Sequence, residues 1–148
     1  MEEGDRLMRY WLFKSEPDVW GWDAQVAKGA AGEEWNGVRN YQARNNMRAM
    51  ELGDRGFFYH SNQGREIVGI VEVCKLAHPD SSTDDPRWEC VDIRAVTDMP
   101  KPVSLDDAKA NPALAEMVLV NNSRLSVQPV SDAEWAEVCR MGDLDPVP

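Results

Sequence analysis

The run Trp35-Asn36-Gly37-Val38-Arg39-Asn40 brings an indole, two amides and a guanidinium together around one glycine. Reading a nucleobase uses that set of groups. An aromatic face stacks on the base, amides meet its polar edge, and an arginine meets a phosphate. The same residues also serve plain structure, with Trp35 as a core plug and Asn36-Gly37 as a turn. The residues alone leave both readings open.

Catalytic constellations are scarcer. The two histidines are His60 and His78. His78 adjoins Pro79 in the polar run 78–86 and reads as surface loop. His60 ends an aromatic run and adjoins Ser61, but neighbours on a strand point to opposite faces, so they do not make a nucleophile and its base. The chain has no HExxH, no phosphate-binding glycine loop and no dinucleotide fingerprint. Cys74, Cys90 and Cys139 lack any CxxC or Cys/His ligand spacing, and their odd number opposes a disulfide framework. They read as reduced core residues of a cytosolic protein. Neither metal nor other cofactor is expected, and binding is favoured over catalysis. Two alternatives are an enzyme acting on a nucleotide or small substrate through His60 and a carboxylate, and a binder of free nucleosides or small metabolites.

The formal net charge of −10 opposes nonspecific attachment to a polyphosphate. The charge is uneven, however. Residues 36–65 hold five arginines against Glu51 and Asp54, a local +3, which leaves −13 on the rest. A basic zone on an acidic body suits a site-specific contact. No apolar run approaches membrane-spanning length, and the acidic start, Met1 to Asp5, lacks a signal-peptide core.

The elements that must position these residues follow from pattern. With 148 residues, one domain with one core is expected. Tyr10 to Phe13 reads as a buried strand that Ser15-Glu16-Pro17 ends. Asp18 caps a predicted helix through Val26, with Val19, Trp22 and Val26 on one face. Gly29 to Gly32 is a loop. The spacing predicts a helix over 39–50, strands over 55–61 and 67–76 around the Asn62-Gln63-Gly64 turn, and a strand over 88–96. Ser104 starts a short helix that Asn111-Pro112 breaks. A last strand over 126–130 precedes a helix opened by the capping box Ser131 to Glu134 and stopped at Gly142. Sequential strands without long intervening helices favour a small mixed barrel over a doubly wound sheet.

Several of these blocks resemble the EVE domain family, of the PUA-like superfamily with the YTH and ASCH domains. They are Tyr10 to Pro17, Trp35 to Asn45, Gly53 to Asn62, Ile67 to Val73, Trp88 to Val96 and Ser123 to Val127, in order along residues 9–141. The resemblance implies an α+β fold, a PUA-like pseudo-barrel of five to six strands flanked by short helices. It implies a single domain over 9–142, a disordered lead-in over 1–8 and a tail over 143–148. It implies a monomeric reader of DNA or RNA carrying a modified base such as methylated or hydroxymethylated cytosine. Its location would be cytoplasmic in a bacterium and nuclear in a eukaryote, with no membrane partner. The base pocket would comprise Ser15, Glu16, Trp35, Asn36, Tyr59, His60 and Ser61. Phosphate contacts would come from Arg39, Asn40, Arg44 and Arg124. Each has a structural counterpart: Ser15 as a helix cap, Glu16 in an ion pair, Arg44 with Arg48 as a solvated helix face, Tyr59 as barrel core, and His60 as a satisfied histidine. Trp11, Trp20, Trp22 and Trp135 are assigned to the core.

Overall fold

The computed structural model describes residues 9–122, 124–144 and 148. The lead-in expected over 1–8 and part of the expected tail lie outside them. Where the tail is described, it is tied down: Leu144 packs on the core, and the Pro148 carbonyl accepts the Trp135 indole N–H at 3.3 Å.

Six strands form one mixed sheet among the described residues. They are β1 (Tyr10–Ser15), β2 (Glu33–Glu34), β3 (Arg55–His60), β4 (Glu66–Pro79), β5 (Glu89–Ser104) and β6 (Val127–Val130), in the spatial order β2-β5-β4-β3-β1-β6. β1 runs parallel to β3, and the other pairings are antiparallel. Five short helices flank the sheet: α1 (Trp22–Ala27), α2 (Tyr41–Ala49), α3 (Leu105–Ala110), α4 (Val118–Asn121) and α5 (Asp132–Met141). This is the expected α+β architecture.

Strand alternation splits the core across the two faces of the sheet. Trp11, Phe13 and Phe58 point to one side, with Trp22, Trp35 and Met47. Leu12, Phe57 and Tyr59 point to the other, with Leu114, Trp135 and Val138. The first core carries α1 and α2, and the second carries α3 to α5. Gly69 on β4 makes the first core possible, because a Cβ there would lie 2.2 Å from Trp22 Cζ2.

Several expectations need correction. The first helix begins at Trp22 behind Gly21, not at Asp18. Val19 and Trp20 instead close a turn by donating their N–H groups to the Glu16 carbonyl, both at 2.9 Å. The expected apolar face therefore fails: Val19 and Val26 are exposed, and the buried pair is Trp22 with Gln25. The two-residue strand β2 falls just past what was read as a glycine loop. β5 also runs eight residues beyond its expected end at Val96, through Pro100 and Pro102. Beyond Ile93 it has no ladder partner on its β2 side, and an unpaired strand edge tolerates proline.

Candidate functional site

β1 ends in Lys14 and Ser15, and the turn that follows carries Glu16, Val19 and Trp20. Opposite this turn runs the segment from Glu33 to Arg39, which leads into α2. Between them, with Ser126 at one side, lies a cleft of about 540 Å³. Ser15, Glu16, Trp35, Asn36 and Arg39, five of the candidate residues, therefore border one space.

Trp35 answers both of its readings at once. It is only 8 % exposed, and its ring packs edge-on against Phe13 at 5.4 Å and Phe58 at 5.7 Å. Its backbone N–H donates to the Val91 carbonyl at 2.8 Å. The indole is thus a core plug whose remaining surface forms a cleft wall. Sequence reasoning missed the facing aromatic. Trp20, expected in the core, packs against it while half-buried and also lines the cleft. Its indole N–H donates to Gln25 Oε1 at 3.0 Å, and its carbonyl accepts the Ser15 hydroxyl. Ser15 thus locks the turn instead of capping α1. The signal available was Pro17, which forces the chain out of the strand and delays the helix.

Polar groups rim the cleft. Glu16 pairs with no cation among the described residues, contrary to its structural counterpart. Glu34 accepts the Asn36 amide at 3.1 Å and the Ser81 hydroxyl. Burial acts to raise the Glu34 carboxyl, but bonds from Ser81 and Asn36 and the charge of His78 outweigh it and hold the group below its ordinary value. Burial lowers the Lys14 ammonium from its usual range.

The Asn36–Arg39 loop is held from beneath by Asp80, which is 2 % exposed. Its Oδ2 accepts Gly37 N–H at 2.8 Å and Arg39 Nη1 at 3.1 Å, and its Oδ1 accepts Ser82 N–H at 2.7 Å. Gly37 adopts a φ of +84°, which suits glycine. Burial would raise the Asp80 carboxyl, yet these donors keep it below the ordinary range. Arg39 is thereby engaged: its other nitrogen reaches Ser82 Oγ at 3.1 Å, and it lies over the Trp88 ring at 5.4 Å.

The remaining candidates do not line the cleft. Asn40 caps α2 by accepting Ala43 N–H at 2.9 Å. Arg44 lies over Tyr41 at 4.9 Å and donates to the neutral acceptors Asn45 and the Arg87 carbonyl, with no carboxylate partner among the described residues. Arg124 is exposed, and Ser123 lies outside the described residues. Tyr59 is buried in the second core, because its strand position faces away from the cleft. Ser61 supports β1 from behind, its N–H donating to the Ser15 carbonyl at 2.8 Å. His60 Nε2 accepts Trp22 N–H at 3.0 Å and so anchors the start of α1. Burial lowers the His60 pKa, which suits an acceptor nitrogen.

The EVE domain model matches residues 9–141. The chain belongs to the EVE domain family. Mouse thymocyte nuclear protein 1 is 36 % identical, over 97 % of this chain and 77 % of its own length. The Agrobacterium tumefaciens protein Atu2648 superposes with a TM-score of 0.91 at 65 % identity, covering 94 % of this EVE domain and 97 % of that chain. Human THYN1, solved in complex with 5-methylcytosine-containing DNA, gives a TM-score of 0.84 at 33 % identity over 93 % and 99 %. A Zygosaccharomyces rouxii YTH domain shares the fold at a TM-score of 0.54 and 16 % identity, over 91 % and 86 %. The EVE domain thus takes the PUA-like fold. Among the described residues no helix is long and apolar enough to cross a membrane.

Proposed function

We propose that this EVE domain binds nucleic acid carrying a modified base and holds that base in the cleft between Trp20 and Trp35. The observation that carries the reading is the cleft itself: two indoles from separate segments face a space bordered by Ser15, Glu16 and Asn36. The 5-methylcytosine DNA bound by human THYN1 supports it. The base leaves its stack at a cost of a few kcal/mol. Stacking on an indole returns about 1–3 kcal/mol. Glu16 accepts from an exocyclic amino group, as carboxylates do from cytosine N4. One buried methyl adds about 0.8 kcal/mol, so discrimination of the modification also needs a close fit. Arg39 is held by Asp80, so the backbone contact falls to Arg44 and the exposed Arg124.

The test is a titration of the protein with matched oligonucleotides, DNA and RNA, carrying cytosine, 5-methylcytosine or 5-hydroxymethylcytosine. Tighter binding of one modified strand is expected, and equal affinity for all of them would overturn the reading. The engaged Arg39 and the carboxylates at the rim favour one second reading, a free nucleoside as ligand. Free 5-methyldeoxycytidine competing as well as the oligonucleotide would establish it.

A further inference from the structure

Behind the cleft wall, Glu34 on β2, His78 on β4 and Cys90 on β5 converge. The sheet order β2-β5-β4 makes their strands neighbours although the residues are far apart in sequence. One carboxylate oxygen, one ring nitrogen and the thiol sulfur all lie within 4.8 Å of one another. His78 Nδ1 is 3.6 Å from Glu34 Oε2. We propose that Glu34, His78 and Cys90 bind one divalent transition-metal ion of the zinc or cobalt class.

Three observations carry this. Thiolate, imidazole and carboxylate are the donors that zinc selects, and hard oxygen-seeking ions do not take thiolate. His78 is also backed as metal-bound histidines are: its Nε2 meets Asp92 Oδ1 at 2.7 Å, which fixes the ring and turns Nδ1 toward Glu34. Charge points the same way. Three carboxylates gather here: Glu34 and Asp92 lie against His78, at 3.6 and 2.7 Å, and Asp80 lies against Arg39 at 3.1 Å. Arg39 offsets Asp80, and among the described residues His78 is the basic group paired with Glu34 and Asp92. A dication balances the remainder.

On binding, metal–sulfur, metal–nitrogen and metal–oxygen bonds form. The thiol proton and any proton on Nδ1 pass to the buffer. The Pro79 carbonyl, 3.0 Å from Nδ1, gives up its contact. A water completes a tetrahedral shell around the three protein donors. Because Glu34 also holds the Asn36 amide, the ion would stiffen the wall that carries Trp35. The metal site does not depend on what the cleft binds.

The experiment is titration of the chelator-treated full chain with Co²⁺, read by thiolate-to-cobalt charge-transfer absorption and checked by equilibrium dialysis with Zn²⁺. One equivalent is expected, with the band lost in Cys90→Ser and His78→Ala. Asp92→Asn should weaken binding about 10- to 100-fold while keeping the band. Far-UV circular dichroism confirms that each variant is folded. Glu34→Gln, on the short edge strand, gives a second loss-of-binding test should a core variant unfold. No saturable binding by the folded protein, or undiminished binding by folded Cys90→Ser or Glu34→Gln, would overturn the proposal.

Discussion

Gly37 and Asp80, 43 positions apart in sequence, are joined by a 2.8 Å hydrogen bond from the Gly37 N–H to a buried carboxylate oxygen. Both Asp80 oxygens take donors, from Gly37 and Arg39 on one and Ser82 on the other. In Asp80→Asn the new NH2 group faces a donor whichever way the amide turns. A loss of about 1–3 kcal/mol in urea unfolding is expected. The Asp80 carboxyl is depressed in the folded state, so its contribution is complete above the ordinary value near pH 4 and fades as pH falls below it. The variant should lose part of the acid-side slope of stability against pH, and a slope identical to wild type would contradict the role assigned to this carboxylate.

His60 makes a second, separate pH prediction. Its Nε2 accepts from Trp22 N–H and must be unprotonated to do so. Its folded pKa lies below the ordinary 6.5, so the stabilisation is complete above that value and is lost as pH falls through the folded one. Thermal denaturation between pH 7 and 5 should show a decline. The decline should flatten in His60→Gln, which keeps an acceptor and does not titrate.

Trp20 tests the cleft at less cost to the core than Trp35. It is half-buried, whereas Trp35 is packed on Phe13 and Phe58. Trp20→Ala should leave the circular dichroism spectrum intact. It should weaken binding of the preferred oligonucleotide about 5- to 150-fold, the equivalent of one base stack. Unchanged affinity would remove Trp20 from the binding surface.

Arg44 carries a positive charge that no described carboxylate neutralises. If it meets a phosphate, Arg44→Ala lowers the slope of log affinity against log salt by about 0.7–0.9, one phosphate contact. Arg39→Ala should act differently. It frees Asp80 and costs stability before it changes the salt slope.

The elements with strong local patterns were legible from sequence: the aromatic β1 and β3, the valine-rich β4, and the capping box of α5, which forms as written. The start of α1 was not, because a side chain far along the sequence decides it. His60 fixes the Trp22 N–H, and no local propensity reports that. Part of the cleft was legible as well. Ser15, Glu16, Trp35 and Asn36 sit in dense polar-aromatic runs. Trp20 was hidden by its own chemistry, since a tryptophan between Val19 and Gly21 reads as core whether or not one of its faces is open. Asp80 lies in a serine- and aspartate-rich stretch that resembles any solvated loop. Its burial follows from β4 running on to Pro79, past the apolar residues that marked the strand. Glu34, His78 and Cys90 form no motif because three strands deliver them.

The two ends of the sheet constrain how a further protein can attach. One end is β2, two glutamates long. Beside it the uncovered stretch of β5 carries Pro100 and Pro102, and the opposite end is β6 with Pro129. Each margin offers an incoming strand too few amide donors, or repels it by charge. A partner therefore gains little by extending the sheet and must dock on helices, loops or the cleft mouth, surfaces where side chains set the choice of partner.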